Sequence, residues 1–234
     1  MKIVVTAGPT REYLDPVRFL SNPSTGKMGF AIAAEAAKRG HEVVLVAGPV
    51  ALKTPKGVER VDVVSAREML EASLGGLEGL GGLEKVVFIS TAAVADWRPA
   101  KCAAKKLKKC EMSGVLKLVR NPDILKTVDS YRKRSKAVGL RLVGFAAETD
   151  HVLAEAARKC REKGLSFIVA NDVTKKGCGF GTDTNKVTFV FPDGTQKKFS
   201  LMTKRRVAAQ ILNAVEGLRT MTETQCGSRL DHLK

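Results

Sequence analysis

KIVVTAG (residues 2–8), PTREYLDPVRFLS (9–21) and NPSTGKMGFAIAAEAAKRG (22–40) open the chain, and their reading decides the fold. A β-branched run passes through a loop into apolar residues at helical spacing, as in the first half of a βαβ unit. The helix start carries Gly26, Lys27 and Gly29, with the hydroxyls of Ser24 and Thr25 just ahead of it. Both standard phosphate-binding spellings fail. In a Walker A loop a glycine would stand at Ser21 and a hydroxyl residue at Met28. The dinucleotide fingerprint is absent too, because Gly8 is followed by Pro9, Thr10 and Arg11.

Outward from this unit, β-branched runs keep alternating with helical patterns, the mark of a mainly parallel sheet with helices on its faces. Strands are expected at residues 2–6, 42–46, 59–64, 85–90, 141–146 and 166–170, with helices near 27–39, 66–73, 122–134 and 151–163. Gly40 suits a helix C-terminus, and Ser65 and Asn121 suit N-caps. After Asn171 a hairpin is expected from 186–191 and 196–201 around Pro192-Asp193-Gly194, then a closing helix over 202–218. The fold class is therefore a modified Rossmann-like α/β sheet with flanking helices and a C-terminal β-hairpin. One domain is expected over residues 1–219, followed by a polar, loosely ordered tail at 220–234.

Composition narrows the class. With 44% apolar and 27% charged residues, the 234-residue chain has the balance of a globular protein. No apolar run approaches the ~18 residues of a membrane helix. The opening run is too short for a signal peptide and soon meets Arg11 and Glu12, so a cytoplasmic protein with no membrane partner is expected. Five widely spaced cysteines and three distant histidines support neither a disulfide framework nor a zinc site, and reduced, incidental thiols are expected. The net charge is +16, and residues 100–140 hold twelve Lys/Arg against Glu111, Asp123 and Asp129. Such a patch suits polyanions, whether nucleic acid, nucleotides or phosphorylated metabolites, and equally describes a solvated basic surface.

The conspicuous segments all follow strands: residues 6–29, STAAVADWRP after the fourth, GFAAET after the fifth and ANDV after the sixth. Four loops thus converge at the carboxyl edge of one sheet, where open α/β folds bind ligands. Gly26 and Gly29 leave a helix start able to hold phosphate, unless Ser24 or Thr25 merely caps it. Asn22 offers an amide that can hold a carbonyl oxygen in place. The small residues around Ala92 admit a planar base, and Asp96 can accept from ribose hydroxyls; simple packing is the alternative for the alanines. Residues 8–26 and 91–114 are unusually long loops, and in the second Lys105, Lys106, Lys108 and Lys109 resemble a cationic flap (about 100–114). Glu148 suits a general acid or base, a metal ligand or a helix-start carboxylate.

Taken together, TAGPTRE (6–12), DPVRFLSNPSTGKMGFAIA (15–33), AAVADWRP (92–99), KLKK (106–109), NPDIL (121–125), VGFAAET (143–149) and AND (171–172 after Ala170) resemble the phosphopantothenoylcysteine synthetases, in the family's order. The resemblance implies a dimeric, Rossmann-like ligase that joins 4′-phosphopantothenate to cysteine. The bacterial type uses CTP and Mg²⁺, and forms an acyl-cytidylate before the cysteine amine displaces CMP. It assigns Asn22 to the acyl intermediate and Lys106 to flap closure, these being the catalytic candidates. It places Ser90, Thr91, Ala92, Asp96, Asn121, Pro122, Asp123, Ile124, Phe145, Lys159 and Lys163, with Lys106, at the nucleotide. Ser24, Thr25, Gly26 and Arg18 fall to phosphate and phosphopantothenate. Metal ligands are not identified. A flavin-dependent decarboxylase often accompanies the family, and nothing in this chain resembles it.

Pro23 and Thr25 stand where relatives commonly carry His and Ser, and the stretch Arg132 to Lys136 has no assigned purpose. Three other classes share parts of this pattern. A nicotinamide oxidoreductase predicts the missing glycine fingerprint and an acidic end to the second strand, where Ala47-Gly48-Pro49 stands. A nucleic-acid module predicts stacking aromatics, but Tyr131 is the only aromatic between residues 100 and 140, so no nucleic-acid partner is expected. The ATP-using form of the same ligase differs in how backbone groups read the base; the SNxSxGKMG loop favours CTP.

Overall fold

The computed structural model describes residues 1–78, 85–108, 114–148, 152–172, 177–179 and 181–218, without the side chains of residues 147, 148 and 172. The tail at 220–234, Lys109 of the flap and the Glu148 side chain therefore lie outside the described residues.

In chain order the first half comprises β1 (Lys2–Ala7), β2 (Arg11–Tyr13), β3 (Phe19–Ser21), α1 (Lys27–Lys38), β4 (Glu42–Ala47), β5 (Glu59–Asp62), α2 (Ala66–Gly75) and β6 (Val86–Ser90). Then come β7 (Trp97–Pro99), β8 (Leu118–Arg120), α3 (Ile124–Arg134), β9 (Leu140–Glu148), α4 (Val152–Glu162) and β10 (Phe167–Asp172). The chain closes with β11 (Thr184–Asn185), β12 (Val187–Val190), β13 (Gln196–Lys198), β14 (Met202–Thr203) and α5 (Lys204–Glu216).

An eight-stranded sheet runs β13-β12-β10-β9-β6-β1-β4-β5. From β10 to β5 all neighbours are parallel, while β12 and β13 add the antiparallel hairpin at one edge. The parallel strands thus follow the order of dinucleotide-binding folds, with the chain reversing its direction of winding between β1 and β6. Burial on both faces explains the near-continuous apolar strands. Ile3, Val5, Leu45 and Ile89 pack toward α1 and α5, while Val4, Val44 and Phe88 join the core under α2, α3 and α4.

Helix boundaries have local causes. Ser65 caps α2 in a full capping box with Glu68, and Gly40, at φ +78°, follows the end of α1. The cap of α3 is Asp123, which accepts from the Lys126 amide, and not Asn121 as the sequence suggests. Asn121 instead spends its amide on the loop before it, as described below.

The first long loop contains a pair of short strands, and the second contains one strand that pairs with another just beyond it. In the first, β2 and β3 form an antiparallel pair, with Tyr13 and Phe19 rings 5.3 Å apart. In the second, β7 pairs with β8 just past the loop's end, setting Trp97 opposite Arg120. Three-residue strands are too short to display alternation, which hides them in the sequence.

The basic stretch at 132–136 has a structural use. Arg132 pairs with Asp129 and donates to the Gly164 carbonyl (3.1 Å), tying α3 to the end of α4. Among the described cysteines, Cys102, Cys160 and Cys178 form no disulfide. Burial pushes Cys160 up to about 11, so it packs as a small apolar group. No described helix is long and apolar enough to cross a membrane.

Candidate functional site

The loops after β1 and β6 are joined into a ridge. The Ala93 amide donates to the Gly8 carbonyl (2.9 Å), and Thr91 Oγ1 donates to the Thr6 carbonyl (2.5 Å). Thr10 Oγ1 accepts from the Ala95 amide (3.0 Å). The switch point is therefore filled by the chain's own backbone. The first loop, which lacks a glycine fingerprint, directs these backbone groups to the loop after β6.

Two cavities flank the ridge and share Ala92, Ala93, Phe145 and Ala146 along their border. The larger is a cleft of about 770 Å³, within the range that accommodates a small organic ligand. It gathers Asn22, Ser90, Ala92, Asp96 and Phe145 with the α3 start, Asn121, Pro122, Asp123 and Ile124. Lys159 on α4 and Lys163, just past its end, complete the cationic side with Lys126 and Arg120. Nearly all the residues expected at a nucleotide are thus brought together, from segments up to seventy residues apart in the chain.

Their geometry refines individual roles. Asn121 Nδ2 donates to the Ala95 carbonyl (2.8 Å), and its Oδ1 accepts from Arg98 (3.0 Å). It shapes the wall by holding the loop after β6. Asp123 both caps α3 and pairs with Lys163 (2.9 Å), so the carboxylate fixes that ammonium at the rim. Trp97 is exposed, with the Arg120 guanidinium 5.2 Å from its ring centre, an aromatic-cation pair that sequence reasoning did not single out. Asn22 directs Nδ2 to the carbonyls of Ala93 (3.1 Å) and Val94 (3.2 Å). The carbonyl oxygens it holds are thus those of the ridge itself.

The smaller chamber, about 130 Å³, lies against the start of α1 and contains Ser24, Thr25, Gly26 and Thr91. Gly26, at φ +76°, is the N-cap, and no side chain caps the helix. Ser24 or Thr25 capping, the alternative to anion binding, is not what the chain does. Gly29 is needed for close approach: a Cβ there would lie 2.5 Å from Ala7 Cβ and 2.6 Å from Thr91 Oγ1. Gly29→Ala is expected to destabilise the protein by about 1–3 kcal/mol through overpacking, read as a lowered thermal midpoint.

The chamber's far side comes from the segment after β10, which the sequence reading passed over although GCGFGTDTN (177–185) is itself glycine-rich. Lys27 Nζ pairs with Asp183 (2.7 Å), and Lys204 Nζ donates to the Thr182 carbonyl (2.6 Å). Burial, reinforced by the nearby Lys27 charge, holds the Lys204 ammonium below its ordinary range.

Arg18 and Lys106 line neither cavity. Arg18 pairs with the buried Asp15 and donates to the Leu107 carbonyl (3.0 Å), while Asp15 accepts from the Leu107 amide (3.2 Å). The β2–β3 hairpin thereby anchors the flap beside the exposed Lys106. Arg18, with three amides, holds the Asp15 carboxyl well below the usual carboxylate range. A depressed folded value stabilises the fold above the unfolded carboxyl pKa of about 3.9, and that contribution fades as pH falls below it. Asp15→Asn is expected to lower the thermal midpoint at pH 6 and to flatten its decline between pH 4 and 2.

The family described as DNA/pantothenate metabolism flavoprotein C-terminal domain matches residues 1–218. The chain is 44% identical over 221 residues to the coenzyme A biosynthesis bifunctional protein CoaBC of Bacillus subtilis, covering 94% of this chain and 52% of that protein. The CoaBC of Escherichia coli K12 is 44% identical over 215 residues, covering 91% and 50%. The chain thus spans about half the length of these relatives. Among solved structures, the C-terminal domain of a CoaBC superposes with TM-score 0.75 at 42% identity, covering 92% of this chain and 93% of that one.

Proposed function

Because the chain belongs to the family of DNA/pantothenate metabolism flavoprotein C-terminal domains, we propose that it is a coenzyme A biosynthesis ligase joining 4′-phosphopantothenate to L-cysteine with CTP. The observation that carries this reading is the cleft beside the ridge, where Phe145, Asp96, the α3 start and the α4 lysines converge. Its size and cationic rim suit a nucleotide, and the adjoining helix start suits a second anion.

In the proposed reaction a phosphopantothenate carboxylate oxygen attacks the α-phosphorus, and the bond to pyrophosphate breaks. The cysteine nitrogen then attacks the acyl carbon, loses a proton and expels CMP. Both steps need fixed donors and held reactants more than a nucleophilic side chain. Asp96 would accept from the ribose, the ridge amides would face the base, and Lys159 and Lys163 would meet phosphate charge. Lys106 would complete the cationic enclosure when the flap closes. Among the described residues no group of three or more His, Cys, Asp or Glu is placed to hold a metal. Magnesium would reach the site on the triphosphate, partly neutralising it.

A homodimer is part of the proposal. Val17, Phe19, Trp97 and Leu118 leave apolar surface exposed on the two hairpins, which contact one another through β2 and β7. A flavin-dependent decarboxylase, on another chain or in a longer protein, would consume the product, and the setting is cytoplasmic. The ATP-dependent form is the second reading, since base selection at the ridge rests on backbone groups.

The test is pyrophosphate release from 4′-phosphopantothenate, cysteine and Mg²⁺ with CTP or ATP. Release with CTP supports the proposal, release with ATP alone supports the second reading, and release with neither refutes both.

A further inference from the structure

Asp96 is exposed on the wall of the larger cleft, and its backbone is held on both sides. Asn121 Nδ2 donates to the Ala95 carbonyl (2.8 Å), and the Asn121 amide donates to the Asp96 carbonyl (2.8 Å). These carbonyls belong to the two peptide planes that flank the Asp96 Cα. Fixing both planes fixes φ and ψ there, and with them the direction of Cβ. The Asn22 side chain holds the Ala93 and Val94 carbonyls just before, so two asparagines secure four consecutive carbonyls.

Asn121 is in turn held by Arg98. One guanidinium nitrogen, Nη1, donates to Asn121 Oδ1 (3.0 Å) and to the Arg120 carbonyl. The first bond settles which way the amide points: a donor facing Oδ1 and a carbonyl facing Nδ2 allow one orientation only. The second fixes the peptide plane that leads into Asn121. Pairing of β7 with β8 sets Arg98 opposite Val119, so the guanidinium reaches across from the strand that follows Asp96. Arg98 is half-buried and lines neither cavity.

We propose that Arg98 is a positioning residue for ribose recognition, aiming the Asp96 carboxylate through Asn121. The assignment rests on the ligase reading above, in which Asp96 accepts from the nucleotide's ribose. A carboxylate on an unrestrained loop would have to be ordered each time a ribose bound, and that entropy would be subtracted from the hydrogen bond. The clamp supplies the order beforehand. A charge-assisted bond of this kind gives about 10–10²-fold preference for the hydroxylated sugar. An arginine contacting phosphate would act on every nucleotide alike, whereas Arg98 acts on the sugar.

The test compares CTP with 2′,3′-dideoxy-CTP, which offers the carboxylate no hydroxyl. In the unaltered protein kcat/KM should favour CTP by about 10–10²-fold. In Arg98→Met that ratio should fall by about fivefold or more through the CTP value, while the value for the dideoxynucleotide stays within about twofold. A uniform loss with both nucleotides would make Arg98 a brace of the fold, and an unchanged ratio would leave Asp96 aimed without it; either result overturns the assignment. Should Arg98→Met not fold, Asn121→Ala decides, because that amide is the link: its ratio should fall likewise, and an unchanged ratio overturns the assignment. Equal use of the two nucleotides by the unaltered protein would overturn the assignment and leave the ligase standing. No turnover with CTP or ATP would remove the ligase reading and the assignment together. If ATP alone is used, ATP and 2′,3′-dideoxy-ATP form the comparison, with the same outcomes.

Discussion

Replacing Asn22 by alanine is expected to slow product formation by about 10²-fold while CTP affinity changes little. The amide spans two consecutive carbonyls of the ridge, Ala93 and Val94, at the point where the cleft meets the loop after β6. Reactants held across such a ridge must be placed to within an ångström, and misplacement of that size costs about two orders of magnitude. The expected nucleotide contacts of Asp96, Asp123 and the α4 lysines are made elsewhere along the cleft, so binding should survive. Steady-state product formation and calorimetric CTP titration, run on the same variant, check both halves. A loss confined to CTP affinity would show that Asn22 serves the nucleotide instead.

The second large effect belongs to Lys106. Lys106→Gln should lower kcat by about 10–10²-fold with no change in thermal midpoint. Removing one charge-assisted contact that forms only in the closed state costs about 1.5–3 kcal/mol of transition-state stabilisation. An exposed side chain contributes little to the fold. The flap's anchor lies next to it, where Asp15 and Arg18 hold Leu107. Asp15→Asn should therefore reduce turnover as well as acid stability, and a double variant with Lys106→Gln should lose less than the two single effects combined. A fall in the thermal midpoint of Lys106→Gln itself would mean that the lysine braces the fold and does not act on the substrates.

What the sequence disclosed follows from the range of the interactions involved. The central strands are buried on both faces, so Ile3 to Val5 and Val43 to Val46 appear as apolar runs whatever packs against them. Helix ends such as Ser65 with Glu68 are local and were legible for the same reason. The gathering of Asn121–Ile124, Phe145 and the α4 lysines around one cleft was expected from a resemblance, not from periodicity. By contrast, the joining of Gly8 to Ala93 and the bond from Arg18 to the Leu107 carbonyl depend on contacts between distant segments. The same holds for Lys204, which opens the last helix in sequence yet closes the smaller chamber in space. Asn121 shows the limit of local rules: its residue type suits a cap, but Asp123, two positions on, has the geometry.

If the nucleotide's α-phosphate activates the carboxylate, one carboxylate oxygen passes to CMP, and an isotope label can follow it. 4′-Phosphopantothenate labelled with ¹⁸O in its carboxylate should be converted with CTP and cysteine, and the released CMP examined by mass spectrometry. One ¹⁸O atom is expected in each CMP formed. Label in inorganic phosphate with CDP as the co-product, or product formed with unlabelled CMP, would contradict it.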